Sequence, residues 1–300
     1  MSVCICISLF YFSFFHLLAA RIHACTGAEG SSAAFIAAKH NHIDALFLLA
    51  ELGVNLDTLC NGGFSPVFIA AQRGHVHAVG VLAELGAKVN TPSSNGDTPV
   101  LVAVQNGHVD VIRLLVSLGG NVNTPASNGH APVRVAAQNG HGKMIRTLVL
   151  LGAKVNVVDS EGSTPVYVAA QQGHANAVRV LAELGAYVNY SINAGTTPLC
   201  VAVEKGHVGV VRVLAEFGAA INAPNKNGVR PIQIAVHYGQ VEMFKALVEL
   251  GVTVTPSASP HRPHLLAPPP DFSAKSGSGS GGYAGVLAAA MLGVQVTWMP

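Results

Sequence analysis

Gly162-Ser-Thr-Pro-Val-Tyr-Val-Ala-Ala-Gln-Gln-Gly-His174 is the stretch whose reading decides the fold. Thr164 is a good helix N-cap and Pro165 suits the first helical position. The run that follows is mostly apolar and small, and Gly173 stops it. Thr-Pro recurs at Thr98-Pro99 and Thr197-Pro198 in the same setting. A second run comes after each such glycine, as in Val109 to Leu118. Its polar residues share one helical face and the rest is apolar. Another glycine ends that run. A ten-residue connection follows, carrying Asn-Gly at Asn95-Gly96, Asn128-Gly129 and Asn227-Gly228. Asn-Gly is the strongest short signal for a tight hairpin turn.

The glycines give the period. Gly30, Gly63, Gly96, Gly129, Gly162, Gly195 and Gly228 stand 33 residues apart. A second ladder runs Gly53, Gly86, Gly119, Gly152, Gly185, Gly218, Gly251, and a third runs Gly74, Gly107, Gly140, Gly173, Gly206, Gly239. Together they account for 20 of the 32 glycines, so the period and not loop content explains the glycine excess. Where the third ladder would begin stands Asn41, and Asn is the next-best residue at positive φ. Each unit therefore reads as helix, turn, helix, hairpin loop. Counting the first glycine as position 1, helix one starts at position 4 and helix two at position 14. Neither helix buries its apolar face alone, so successive units must stack.

Composition agrees. Three hundred residues make two ordinary domains or one elongated array. Half the residues are hydrophobic and 11% are charged, against roughly 25% in a typical soluble domain. A net charge of +2 argues against a nucleic-acid partner. Cys4, Cys6, Cys25, Cys60 and Cys200 are too few and too scattered for a disulfide framework, and none forms a C-x-x-C pair.

The units resemble ankyrin repeats. The family pattern G-x-T-P-L-H-x-A-A-x-x-G-H is matched by Gly162 to His174, and its L-L-x-x-G-A end by Leu181-Ala-Glu-Leu-Gly-Ala186. The resemblance covers residues 30–255 as seven copies. It implies an all-α ankyrin-repeat solenoid of stacked helix-turn-helix units with hairpin loops, acting by non-covalent binding of another protein. One departure is systematic. The family's His at position 6 is replaced by Phe35, Phe68, Leu101, Arg134, Tyr167, Cys200 and Gln233.

Comparing the units separates what the fold fixes from what it leaves free. Positions 7 to 9 hardly change. Position 6 changes in almost every unit, and positions 10 and 11 stay mostly polar. In the family this stripe and the hairpin tips line a concave groove. Six steps of about 10 Å make it about 60 Å long, enough for a standard interface of about 800 Å² per partner. Phe68, Arg73, Leu101, Arg134, Tyr167, Gln171, Lys205 and Tyr238 are the expected partner contacts, because aromatic and Arg side chains are favoured anchors.

Other signals read as structure. His42, His75, His108, His141, His174 and His207 all fall at position 13. One imidazole per unit, with units about 10 Å apart, cannot converge on a metal that needs ligands within about 2.1 Å. They are expected to start helix two and hydrogen-bond a turn. Arg179–Glu183, Arg212–Glu216 and Lys245–Glu249 are i,i+4 pairs on a solvated stripe, each worth about 0.2–0.5 kcal/mol. Gly277 to Gly282 matches G-x-G-x-x-G but lies in a Ser/Gly tract, so it reads as linker. Asn189-Tyr190-Ser191 is a sequon that matters only in the secretory lumen. No catalytic triad or dyad survives placement on the repeats. The expected protein is not an enzyme and has no cofactor, metal or small-molecule substrate.

The ends differ from the array. Residues 1–29 form a hydrophobic leader, in which residues 3–20 carry no Lys, Arg, Asp or Glu. Three readings stand: a signal peptide, a membrane anchor or a helix capping the first unit. Residues 256–300 form a Pro/Ser/Gly-rich tail that turns apolar at its end. The sequence thus predicts a cytoplasmic scaffold or adaptor for a protein partner. The alternative is a regulator tethered to a membrane through residues 3–20, recruiting a cytosolic partner.

Overall fold

Thr98 shows how a unit begins. Its Oγ1 accepts a hydrogen bond from the Leu101 amide at 3.2 Å, and Pro99 follows where a missing N–H costs nothing. Ser32, Ser65, Thr164 and Thr197 cap their helices in the same way. The computed structural model describes residues 30–192 and 195–252, and among them the chain forms fourteen helices and no strand. They are α1 (Ala33–Lys39), α2 (Ile43–Glu51), α3 (Pro66–Arg73), α4 (Val76–Glu84), α5 (Pro99–Gln105), α6 (Val109–Ser117) and α7 (Pro132–Gln138). Then follow α8 (Gly142–Leu150), α9 (Pro165–Gln171), α10 (Ala175–Glu183), α11 (Pro198–Glu204), α12 (Val208–Glu216), α13 (Pro231–His237) and α14 (Val241–Glu249). The hydrophobic leader and the Pro/Ser/Gly-rich tail lie outside the described residues. Within them, no helix is long and apolar enough to cross a membrane.

The odd-numbered helices stack in one row and the even-numbered helices in another. The first row is the closer-packed, so the array curves with the odd helices on its inner side. Small residues permit the approach: Ala70, Ala71, Ala136, Ala137, Ala169 and Ala170 are all fully buried. Between the rows runs one continuous core, in which Leu49, Leu82, Leu115, Leu148, Leu181, Leu214 and Leu247 repeat at the same position.

Backbone chirality fixes the corners. Asn41 has φ +57°, the one positive φ outside glycine among the described residues, as its place in the glycine ladder predicts. The hairpins depart from expectation. A two-residue type I′ turn needs positive φ at both central residues, and Asn95 does not have it. Instead the Gly96 amide donates to the Ser93 carbonyl at 2.9 Å, and Ser93 donates to Asp97 at 2.9 Å. The glycine follows the turn in a left-handed conformation, at φ +78°, and closes a longer loop.

Three hydrogen-bond ladders tie unit to unit. At position 13, Nε2 of His75, His108, His174 and His207 donates to a carbonyl at the end of the previous unit's first helix, at 3.0–3.1 Å. The carbonyl only accepts, which fixes Nε2 as the protonated nitrogen. These histidines start helix two as expected, but the acceptor is a helix-end carbonyl one unit back and not a turn. Gln240 replaces His in the last unit and does the same through Nε2, at 3.2 Å.

The second ladder escaped the sequence reading. The Asn123 side chain accepts from the Lys154 amide at 2.9 Å and donates to the Gly152 carbonyl at 3.0 Å. Asn156 and Asn189 repeat both bonds. The amide of the Asn189 sequon is thus engaged at both ends in unit-to-unit bonding.

The third ladder corrects the ion pairs. Arg146 bonds Glu183, Arg179 pairs with Glu216 at 2.7 Å, and Arg212 with Glu249 at 2.7 Å. Each spans two units, in place of the i,i+4 pairs Arg179–Glu183 and Arg212–Glu216. Lys245 pairs with Glu242 at 2.9 Å, not with Glu249. The ladder stops at Leu150, which occupies the glutamate position opposite Arg113 and is 80% exposed. Leu150→Glu is expected to stabilise the array by about 0.2–1 kcal/mol. Thermal unfolding at low and high salt checks this, since the gain should shrink as salt screens the pair.

Candidate functional site: the inner stripe

Helix one has six successive residues under cover in most units, as in Pro66 to Ala71. Two residues then emerge at its end. Gln72, Arg73, Gln105, Asn106, Gln138, Asn139, Gln172, Glu204, Lys205 and His237 are exposed, and Gln171 and Tyr238 are half-buried. They run along the inner side of the curve as a stripe rich in amides and sparse in charge. Some are held in place: Arg134 Nη1 donates to Gln138 Oε1 at 3.1 Å, and Asn106 Nδ2 donates to the Val102 carbonyl at 2.8 Å. Lys205 lies 3.8 Å from Glu204. Burial, with the Glu204 carboxylate adding to it, raises the Tyr238 phenol above its ordinary value.

Four of the expected contact residues are on this stripe: Arg73, Gln171, Lys205 and Tyr238. The other four are not. Phe68, Leu101, Arg134 and Tyr167 are 3%, 1%, 9% and 7% exposed. Position 6 is a core position in the first six units, Phe35 and Cys200 included, and is exposed only at Gln233 in the last described unit. Its variation reflects differing packing volumes, not freedom in solvent. Phe68 stacks on Phe64 with ring centroids 4.8 Å apart. Tyr167 is raised by burial, then by Glu204, Glu161 and Cys200.

Arg134 is the special case. A buried guanidinium needs a partner, and its Nε donates to Asp159 Oδ2 at 2.7 Å. Asp159 Oδ1 also accepts from the amides of Glu161 at 2.9 Å and Ser163 at 2.8 Å. Burial alone would raise this carboxyl. The Ser163 amide, Arg134 and the Glu161 amide outweigh it and hold Asp159 below its usual range. Nearby, burial raises Asp97 against the pull of His130. Burial, then Arg134, lower His130 against the opposing Asp159, Glu161 and Asp97. One signal for the pair was present in the sequence. Arg occurs at position 6 in one unit alone, and that same unit alone has Asp at the hairpin position that faces it. Among the described residues, no group of His, Cys, Asp and Glu is placed to hold a metal ion.

A stacked array of helix pairs with a polar inner stripe defines a repeat protein of the solenoid class. The family model described as Ankyrin repeats (3 copies) matches residues 5–93, 88–159, 127–192 and 188–258. The chain belongs to the ankyrin-repeat family. Among solved structures it is similar to the ankyrin repeat domain of human ASB11, at 26% identity and a TM-score of 0.66. That match covers 75% of this chain and all of the other. No curated protein matches the chain.

Proposed function

We propose that this protein is a non-enzymatic scaffold that holds a protein partner against the inner stripe, with Arg73, Gln171, Lys205 and Tyr238 among its contacts. The observation that carries the reading is the stripe itself. Positions 10 and 11 stay accessible in every unit on the inner side of the curve, while the residues just before them are core. Arg73 and Tyr238 are of the types favoured as anchors. The amides between them offer donors and acceptors without a strong field, which suits a partner surface of low net charge.

The test uses affinity capture from native cell extract, with the full chain as bait. The control bait carries Arg73→Ala, Gln171→Ala, Lys205→Ala and Tyr238→Ala. Surface changes of this kind usually shift stability by no more than about 0.5 kcal/mol each, so both baits should be equally helical by circular dichroism. A partner retained by the first bait and lost by the control is the expected result. Equal capture by the two would reject the stripe.

A further inference from the structure

The first unit has a bare end. Ile36 is 42% exposed, whereas its counterparts Ile69, Val102, Val135, Val168, Val201 and Ile234 lie between 2% and 8%. Leu48 is 55% exposed, whereas at the same position Val81 and Leu114 are half-buried and Thr147, Val180, Val213 and Ala246 lie between 1% and 6%. Ile234 and Ala246 belong to the last described unit, which has no described unit after it. What covers these positions is therefore the unit before. Two close approaches give the same direction. A Cβ on Gly80 would lie 3.8 Å from Leu114, and one on Gly142 would lie 3.3 Å from Val180, each reaching forward to the Leu48 position of the next unit. Ile36 and Leu48 face the place where a preceding unit would stand.

We propose that residues 10–18 of this same chain cover the Leu48 side of that face, in the register of a degenerate preceding unit. Shifted back by one 33-residue period, Ile43–Glu51 falls on these residues. They read Phe-Tyr-Phe-Ser-Phe-Phe-His-Leu-Leu, apolar and without Lys, Arg, Asp or Glu. The family match begins at residue 5 and so takes them in. The sequence separation from residue 18 to Gly30 equals that from Glu51 to Gly63. Apolar chain and apolar face are thereby buried together, each removing surface the other leaves in water. The acidic side chain on this face, Asp44, stays exposed in the first turn of α2. The inference is independent of what binds the inner stripe.

Thiol labelling of the full chain tests it. Cys4, Cys6 and Cys25 are replaced by Ser; Cys60 and Cys200 are already buried. Leu48→Cys is compared with Leu150→Cys, each rate normalised to that in denaturant. The position at 48 should react at least about ten-fold more slowly than that at 150, because only local opening exposes it. Adding Phe14→Asp and Phe15→Asp should bring the two rates together while the thermal unfolding of the array is retained. Equal rates without those substitutions would overturn the proposal. Flotation with phosphatidylcholine vesicles accompanied by equal labelling would overturn it in favour of a bilayer.

Discussion

Leu148→Ala is expected to lower the unfolding free energy by about 2–5 kcal/mol. Leu148 is fully buried on α8, in the fourth of the seven described helix pairs. Truncation removes its apolar contact and leaves a cavity that neighbours fill only in part. The array adds a second consequence. Each unit touches only its neighbours, so stability is a sum of unit and interface terms. A weakened middle unit loosens both of its interfaces. Unfolding should then broaden, and the two ends should lose cooperativity with each other. Two residues further on, Leu150 is 80% exposed. Leu150→Ala should change stability by no more than about 0.5 kcal/mol. Chemical denaturation of the two variants, followed by circular dichroism, makes the comparison. A similar cost for both would contradict the burial pattern.

Asp159→Ala is the second large effect, at about 3–5 kcal/mol of destabilisation. The side chain of Asp159 is 2% exposed and that of Arg134 is 11% exposed, so removing the carboxylate strands a buried cation. It also leaves the amides of Glu161 and Ser163 without their acceptor, loosening the hairpin between the fourth and fifth helix pairs. Arg134→Leu strands the carboxylate instead, though the two amides still satisfy it in part. A double-mutant cycle of the two changes should give a coupling energy well above the ~0.5 kcal/mol expected for independent sites. The pair also sets a pH dependence. The folded state holds the Asp159 carboxyl below its usual range, so its contribution is fully present above the ordinary carboxylate value of about 3.9. It is lost as pH falls through the lower folded value. Wild type should therefore lose more stability below about pH 4 than Asp159→Ala does.

Part of the candidate site was legible from sequence and part was not. Arg73, Gln171, Lys205 and Tyr238 could be placed on an accessible stripe because polar residues persist there from unit to unit. Phe68, Leu101 and Tyr167 misled because variability looks alike whether a position is in solvent or in a core whose neighbours vary with it. Arg134 misled for a further reason. Its charge argues for solvent, and only the carboxylate 25 residues away makes burial tolerable.

The sequence by itself determined the period, the two helices of each unit, their caps, and the left-handed corners down to Asn41. These are local matters: a hydroxyl beside an amide, a ring without an N–H, a residue that accepts positive φ. Only the tertiary structure decided which face of each helix meets its neighbour and which partner each polar group takes. In a 33-residue repeat, an Arg and a Glu four apart in one unit recur 37 apart across two units, so spacing cannot choose between them. Stacking chooses. It brings Arg212 of one unit to Glu249 of the next, His75 back to the Lys39 carbonyl, and Arg134 to Asp159.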